Sequence, residues 1–204
     1  MKWSFIGRKL SAYNVSVMLF VWVTLVFISS GCKDKPLENF GSVTSFQLTS
    51  HTGEVFQSDS MKEKVWLVSF FFSRCKTICP PLMNFIKTVQ DDAKAQNISL
   101  AAVSITVDPE HDTPEKLASK HADLQADQNW TFLTGTSDDV RNVVVGGFKT
   151  HMGEQEILEG GLIEIGHGAK IMLIDGQGII RGLFSADEMN KESLLKLANK
   201  LGSS

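Results

Sequence analysis

Cys75 and Cys79 stand four residues apart, and Cys32 is the remaining cysteine of the 204-residue chain. If the residues between them are roughly helical, an i, i+4 pair faces one side with Cα atoms about 6 Å apart. That is close enough for a disulfide or for two bonds to one metal ion, and spacing alone leaves both open. The plain alternative is a pair of packed cysteines, since a free cysteine behaves as a small hydrophobe. Their position, where a strand hands over to a helix, argues for chemistry instead.

That position follows from the stretch VWLVSFFFSRCKTICPP, Val65 to Pro81. Val65 to Phe72 is apolar except for Ser69, the pattern of a strand covered on both faces. After it, Leu82, Phe85, Ile86, Val89 and Ala93 recur at helical spacing. Pro80 and Pro81 fit only the first turn, because proline lacks the amide hydrogen an interior turn needs. The cysteines are therefore expected at the helix N-terminus, where free amides and the positive end of the dipole favour thiolate. Arg74 and Lys76 are expected to push the same way.

The flanking pattern supplies the rest of the frame. Ser45 to Gln57 reads as a hairpin turning at Ser50-His51-Thr52-Gly53, and Ser99 to Val107 as a second buried strand. Strand, helix, strand calls for a right-handed parallel crossover. Asp112-Thr113-Pro114-Glu115 opens a helix expected to reach Ala126, Trp130 to Leu133 is a short strand, and Ser137-Asp138-Asp139 opens a helix through Phe148. Gln155 to Ile165 returns to strand with Gly160-Gly161 as its turn, followed by Lys170 to Ile174, a turn, and Ile179 to Phe184. Asn190 is expected to cap a last helix with Leu194, Leu195 and Leu201 on its inner side. The sum is an α/β fold with a mixed central sheet flanked by helices, similar to the thioredoxin-like arrangement.

Length and 43% hydrophobic residues suit one domain with a segment outside it. Lys2, Arg8 and Lys9 precede an apolar run from Val15 to Ile28, too short for a typical span of about 20 residues and suited to a signal-peptide core. Ser29-Ser30-Gly31-Cys32 resembles a bacterial lipobox, although Ser29 stands where that pattern has Leu. Residues 1–31 are thus read as signal peptide or membrane anchor, 32–39 as a tether, with Cys32 a candidate for lipidation, and 40–204 as the domain. Exported and tethered to the membrane, that domain is placed in the periplasm or otherwise outside the cytoplasmic membrane. Without Lys2, Arg8 and Lys9 the exported part has 17 basic and 23 acidic residues, a net charge of −6, which excludes a nucleic-acid surface.

Four pieces in order, FFFSRCKTICPP, VSITVDPEHDTPEKL, WTFLTGT and GHGAKIMLIDGQG, resemble the SCO/SenC family of copper-handling proteins from about Phe40 to Leu201. The resemblance implies that Cys75, Cys79 and His167 are the ligands of a copper ion. The family usually has Asp before this histidine and Ser or Thr after it, where this chain has Gly166 and Gly168. Two soft thiolates and a neutral imidazole suit Cu(I), while Cu(II) is held when another group fills a position. Zinc would prefer four ligands, and no fourth is evident. Asp108, ending a strand where ligands gather in open α/β sheets, is a candidate to support the site, with capping of the next turn as its alternative.

By the same resemblance the function is that of a metallochaperone. A donor chaperone would load it, and a solvent-reachable clip would pass copper to the binuclear site of cytochrome c oxidase subunit II. The alternative is a dedicated thiol-disulfide oxidoreductase that reduces the cysteines of that acceptor, with Cys75 attacking, Cys79 resolving and a thiol reductant as partner. The chain has no proline after Pro114, so the cis-proline of generalist oxidoreductases is missing. A thiol peroxidase is discounted because Phe72 stands three before Cys75, where those enzymes have Thr. His51, His111, His121 and His151 read as solvated, and the seven methionines show no clustering that would suggest a second copper tract.

Overall fold

A computed structural model describes residues 36–157 and 163–203. The signal or anchor segment, Cys32 and the Gly160-Gly161 turn lie outside the described residues. Among the described residues no helix is long and apolar enough to cross a membrane. Glu38 to Ser204 forms one compact unit.

The buried run becomes β3, Trp66–Phe71, with all six residues buried. It pairs in parallel with β4, Ala101–Thr106, which pairs in parallel with β5, Trp130–Thr134. Ser69, the one polar residue of the apolar run, is satisfied inside the sheet by Ser104 at 2.8 Å, and Trp130 Nε1 donates to the same Ser104 hydroxyl at 2.9 Å. Ser69, Ser104 and the Trp130 indole thus satisfy one another, which is what allows them in this core.

The hairpin forms as expected from β1, Gln47–Ser50, and β2, Val55–Gln57, and β1 adds antiparallel to β5. On the far side, β8, Ile171–Ile174, lies antiparallel to β3 and is followed by β9, Ile180–Phe184. The sheet order is β2-β1-β5-β4-β3-β8-β9. A second, two-stranded sheet pairs β6, Met152–Ile157, with β7, Ile163–His167. The architecture is the expected thioredoxin-like one, a mixed sheet with helices packed on it.

Helix α1, Cys79–Ala95, buries Leu82, Phe85, Ile86, Val89 and Ala93, the positions its periodicity marked. Helix α2, Pro114–Asp123, begins after a Thr113 cap and ends three residues earlier than expected, where Gln125 takes a left-handed φ of 49°. Helix α3, Ser137–Arg141, is continued by a π-helical turn over Asn142–Gly147. Helix α4, Glu188–Gly202, buries Leu194 and Leu195 and leaves Leu201 half-buried. Its cap is Asp187, not Asn190. Asp187 accepts from the Asn190 amide at 3.0 Å, so Asn190 is the third residue inside the helix and returns a side-chain bond to its cap.

Candidate metal centre

The strand-to-helix handover puts both thiols at one end of the sheet. Residue 78, the residue before α1, offers no side-chain cap, and the sulfur of Cys75 takes that role by accepting from the Cys79 backbone N–H at 3.4 Å. A helix-end amide aimed at a sulfur favours its anionic form. The Thr77 hydroxyl lies 3.7 Å from the same sulfur. Burial alone would push the Cys75 thiol up, but hydrogen bonds from Cys79 and Thr77 outweigh it and bring it below its ordinary value. Burial, joined by the hydrogen bond to Cys75, pushes the Cys79 thiol up to about 12.

Both thiols are free, and both are nearly covered, with Cys75 7% and Cys79 3% exposed. The solvent-reachable clip expected from sequence is therefore shut in this structure, with Cys75 the more open of the two. Arg74 also departs from expectation. Its guanidinium is taken up by Asp108, with Nε and Nη2 donating at 2.9 and 2.6 Å, and by the Gln155 side chain at 2.8 Å. The Asp108 carboxylate thus holds Arg74, the neighbour of Cys75, while the amides of His111 and Asp112 go to its backbone carbonyl and not to its side chain.

His167 arrives from the other side of the chain. It ends β7, just before β8, and the antiparallel register that pairs Trp66 with Ile174 and Val68 with Met172 carries it level with the start of the cysteine loop. Its Nε2 lies 4.0 Å from Cys79 Sγ across 88 positions of sequence, and its ring meets Phe72 edge to face at 5.9 Å between centroids. Nδ1 donates to the Gly168 carbonyl at 3.3 Å, leaving the Nε2 lone pair on the side of Cys79 Sγ. Burial lowers the His167 pKa, which keeps the ring in its neutral form.

The separation of Cys79 Sγ and His167 Nε2 is close to what a shared ion needs. Bonds of about 2.3 Å to thiolate and about 2.0 Å to imidazole, opened to about 120°, would place sulfur and nitrogen roughly 3.7 Å apart. Among the described residues no three His, Cys, Asp or Glu side chains are already gathered around one point, so binding of an ion by all three would require the side chains to move.

Several residues at the site gave no sequence signal. Asp112 is fully buried and accepts from the Ser73 amide at 2.9 Å, the Ser73 hydroxyl, and the Thr106 hydroxyl at 2.6 Å, bracing the residue that starts the cysteine loop. Around His167, a Cβ on Gly168 would lie 2.9 Å from Thr150 Cγ2, and one on Gly166 would lie 3.5 Å from His151 Nε2. Thr150 and His151 thus stand in the space that side chains at 168 and 166 would enter. His51 and His121 are not simply solvated either. Their rings stack at 4.5 Å, and His51 Nδ1 accepts from the Phe132 amide at 3.3 Å.

A Bacillus subtilis SCO1 protein homolog is 36% identical over 109 residues, 52% of this chain and 56% of that protein, so the alignment spans little more than half of the relative's length. The crystal structure of a SCO1/SenC family lipoprotein from Bacillus anthracis superposes with a TM-score of 0.71 at 29% identity, covering 82% of this chain and 98% of that one. Bradyrhizobium japonicum ScoI, solved with copper bound, superposes with a TM-score of 0.68 at 23% identity over 79% of this chain and 99% of that one, which speaks for the fold alone. The SCO1/SenC family model matches residues 35–202, nearly all of the part outside the N-terminal segment, and the chain belongs to that family.

Proposed function

We propose that this protein is a copper metallochaperone that holds its cargo through Cys75, Cys79 and His167. The observation that carries the reading is the approach of the His167 Nε2 lone pair to Cys79 Sγ, with Cys75 joined to the same helix end. Two sulfurs and one neutral imidazole form a soft set that selects Cu(I). Family membership supports copper as the cargo, and cytochrome c oxidase subunit II as the acceptor follows the family resemblance. A tethered domain outside the cytoplasmic membrane, with lipid on Cys32, fits the sequence of the first residues and the lipoprotein relative.

The inequality of the two thiols favours a second activity at the same site. Cys75, the more ionised and more exposed, has the properties of an attacking sulfur, and Cys79 those of the resolving one. The two readings separate in one experiment. Reduced protein, with and without copper, is mixed with a subunit II domain whose site cysteines are either reduced or oxidised. Copper transfer to the reduced acceptor is the expected result. Reduction of the acceptor disulfide without any transfer of copper would replace the chaperone by the reductase.

A further inference from the structure

The hairpin that delivers His167 presents a third sulfur. Met152 opens β6 and is the direct cross-strand partner of His167 in β7. Partners directly opposite in an antiparallel pair point to the same face, with Cβ atoms about 4.5–5.5 Å apart. That face looks toward the cysteine loop, because Gln155, which pairs with Ile165 two positions before His167, sends its side chain to Arg74 of that loop. Glu154 to Ile157 of β6 are exposed, whereas Met152 is half-buried and packs against the core. Between Met152 and Gln155 the register shifts by a bulge, a device that re-aims a side chain. The bulge contains Gly153, where a Cβ would stand 3.3 Å from the Gly166 amide nitrogen, so two glycines let the strands close up beside the Met152–His167 pair.

On these observations, and resting on the copper reading above, we propose that the Met152 thioether is a further ligand of the ion held by Cys75, Cys79 and His167. A thioether is a soft donor that prefers Cu(I), and it needs no deprotonation to bind. Methionine has three rotatable bonds beyond its Cα, enough to swing from the core edge to an ion beside its cross-strand neighbour. The set becomes three sulfurs and one nitrogen, two of the four arriving on one ribbon and two on one helix end. Its effect is to hold the reduced ion more firmly.

The full chain, purified in detergent with selenomethionine in place of methionine and loaded with Cu(I), is examined by X-ray absorption at the copper edge. One selenium in the first shell is expected, lost in Met152→Leu. In the sulfur-containing protein the same substitution is expected to weaken Cu(I) roughly tenfold in competition with a chromophoric chelator. No selenium at bonding distance, or a selenium shell that survives Met152→Leu, overturns the assignment while leaving two thiolates and an imidazole in place. If the Leu variant does not fold, Met152→Gln, at this half-buried position, takes its place in the same measurement. Failure of the unsubstituted chain to retain one copper, or retention of one by Cys75→Ser/Cys79→Ser, would overturn the copper reading and the methionine assignment with it.

Discussion

Cys75 and Cys79 share a single turn of backbone yet meet opposite surroundings, one sulfur receiving a helix-end amide and the other pressed into the core. The expected consequence is selective alkylation. At neutral pH an alkylating reagent followed by peptide mass mapping should label Cys75 well ahead of Cys79, with the Cys75 rate levelling off at a lower pH than that of an ordinary thiol. Cys79 should react only as the pH approaches about 12. Equal labelling of the two would contradict the asymmetry. The pair itself could be read from sequence, because strand and helix periodicities bracket it closely. His167 could not be placed that way: a histidine between two glycines carries no periodic signal, and only the family resemblance singled it out. Asp112, Thr150 and His151 were silent for the same reason, since their roles exist only through contacts made after folding.

The loop bearing the cysteines is fastened at its entrance by elements far away in sequence. Asp112, from the connection leading into α2, accepts from Ser73 and Thr106 with no exposure to solvent, and Arg74 ties β6 to the end of β4 through Gln155 and Asp108. Asp112→Ala would leave buried donors without a partner, and is expected to lower unfolding stability by roughly 2–3 kcal/mol in a urea titration. Asp112→Asn, which keeps an acceptor, should lose less. A loss within about 0.5 kcal/mol, typical of plain surface substitutions, would show that the brace contributes little. At this scale the sequence was informative about β3, β4, β5 and α1, whose buried faces repeat regularly. It read the start of α2 correctly but misjudged its C-terminal end, which closes at the left-handed Gln125, and the cap of α4, where Asp187 and not Asn190 accepts the free amide.

The protein as a whole buries histidine rings that titrate near neutrality in the unfolded chain. Burial lowers the pKa of His51, with the nearby His121 adding to the effect, and burial lowers that of His167. The unfolded chain takes up protons at about pH 6.5, which the folded one accepts only at lower pH, so the unfolded state binds more protons in that window. Stability of the metal-free protein is therefore expected to fall as pH drops from about 7 toward 5, by at most about 1.4 kcal/mol per pH unit for each such ring. Urea midpoints across that range check it, and His51→Gln should flatten the slope. A midpoint that rises on acidification would reverse the sign. The parallel β3–α1–β4 crossover and the β6–β7 hairpin were legible from the strand and helix patterns, whereas the strand order of the large sheet and the separation of the hairpin from it depend on pairings that pattern alone does not set. That separation matters for handover. On the copper reading proposed above, two donors would be rooted in the main body and the imidazole on an independent ladder, so an acceptor would pry the jaws apart without unzipping a single rung of the large sheet, and grip on the cargo would be tuned independently of the durability of the scaffold.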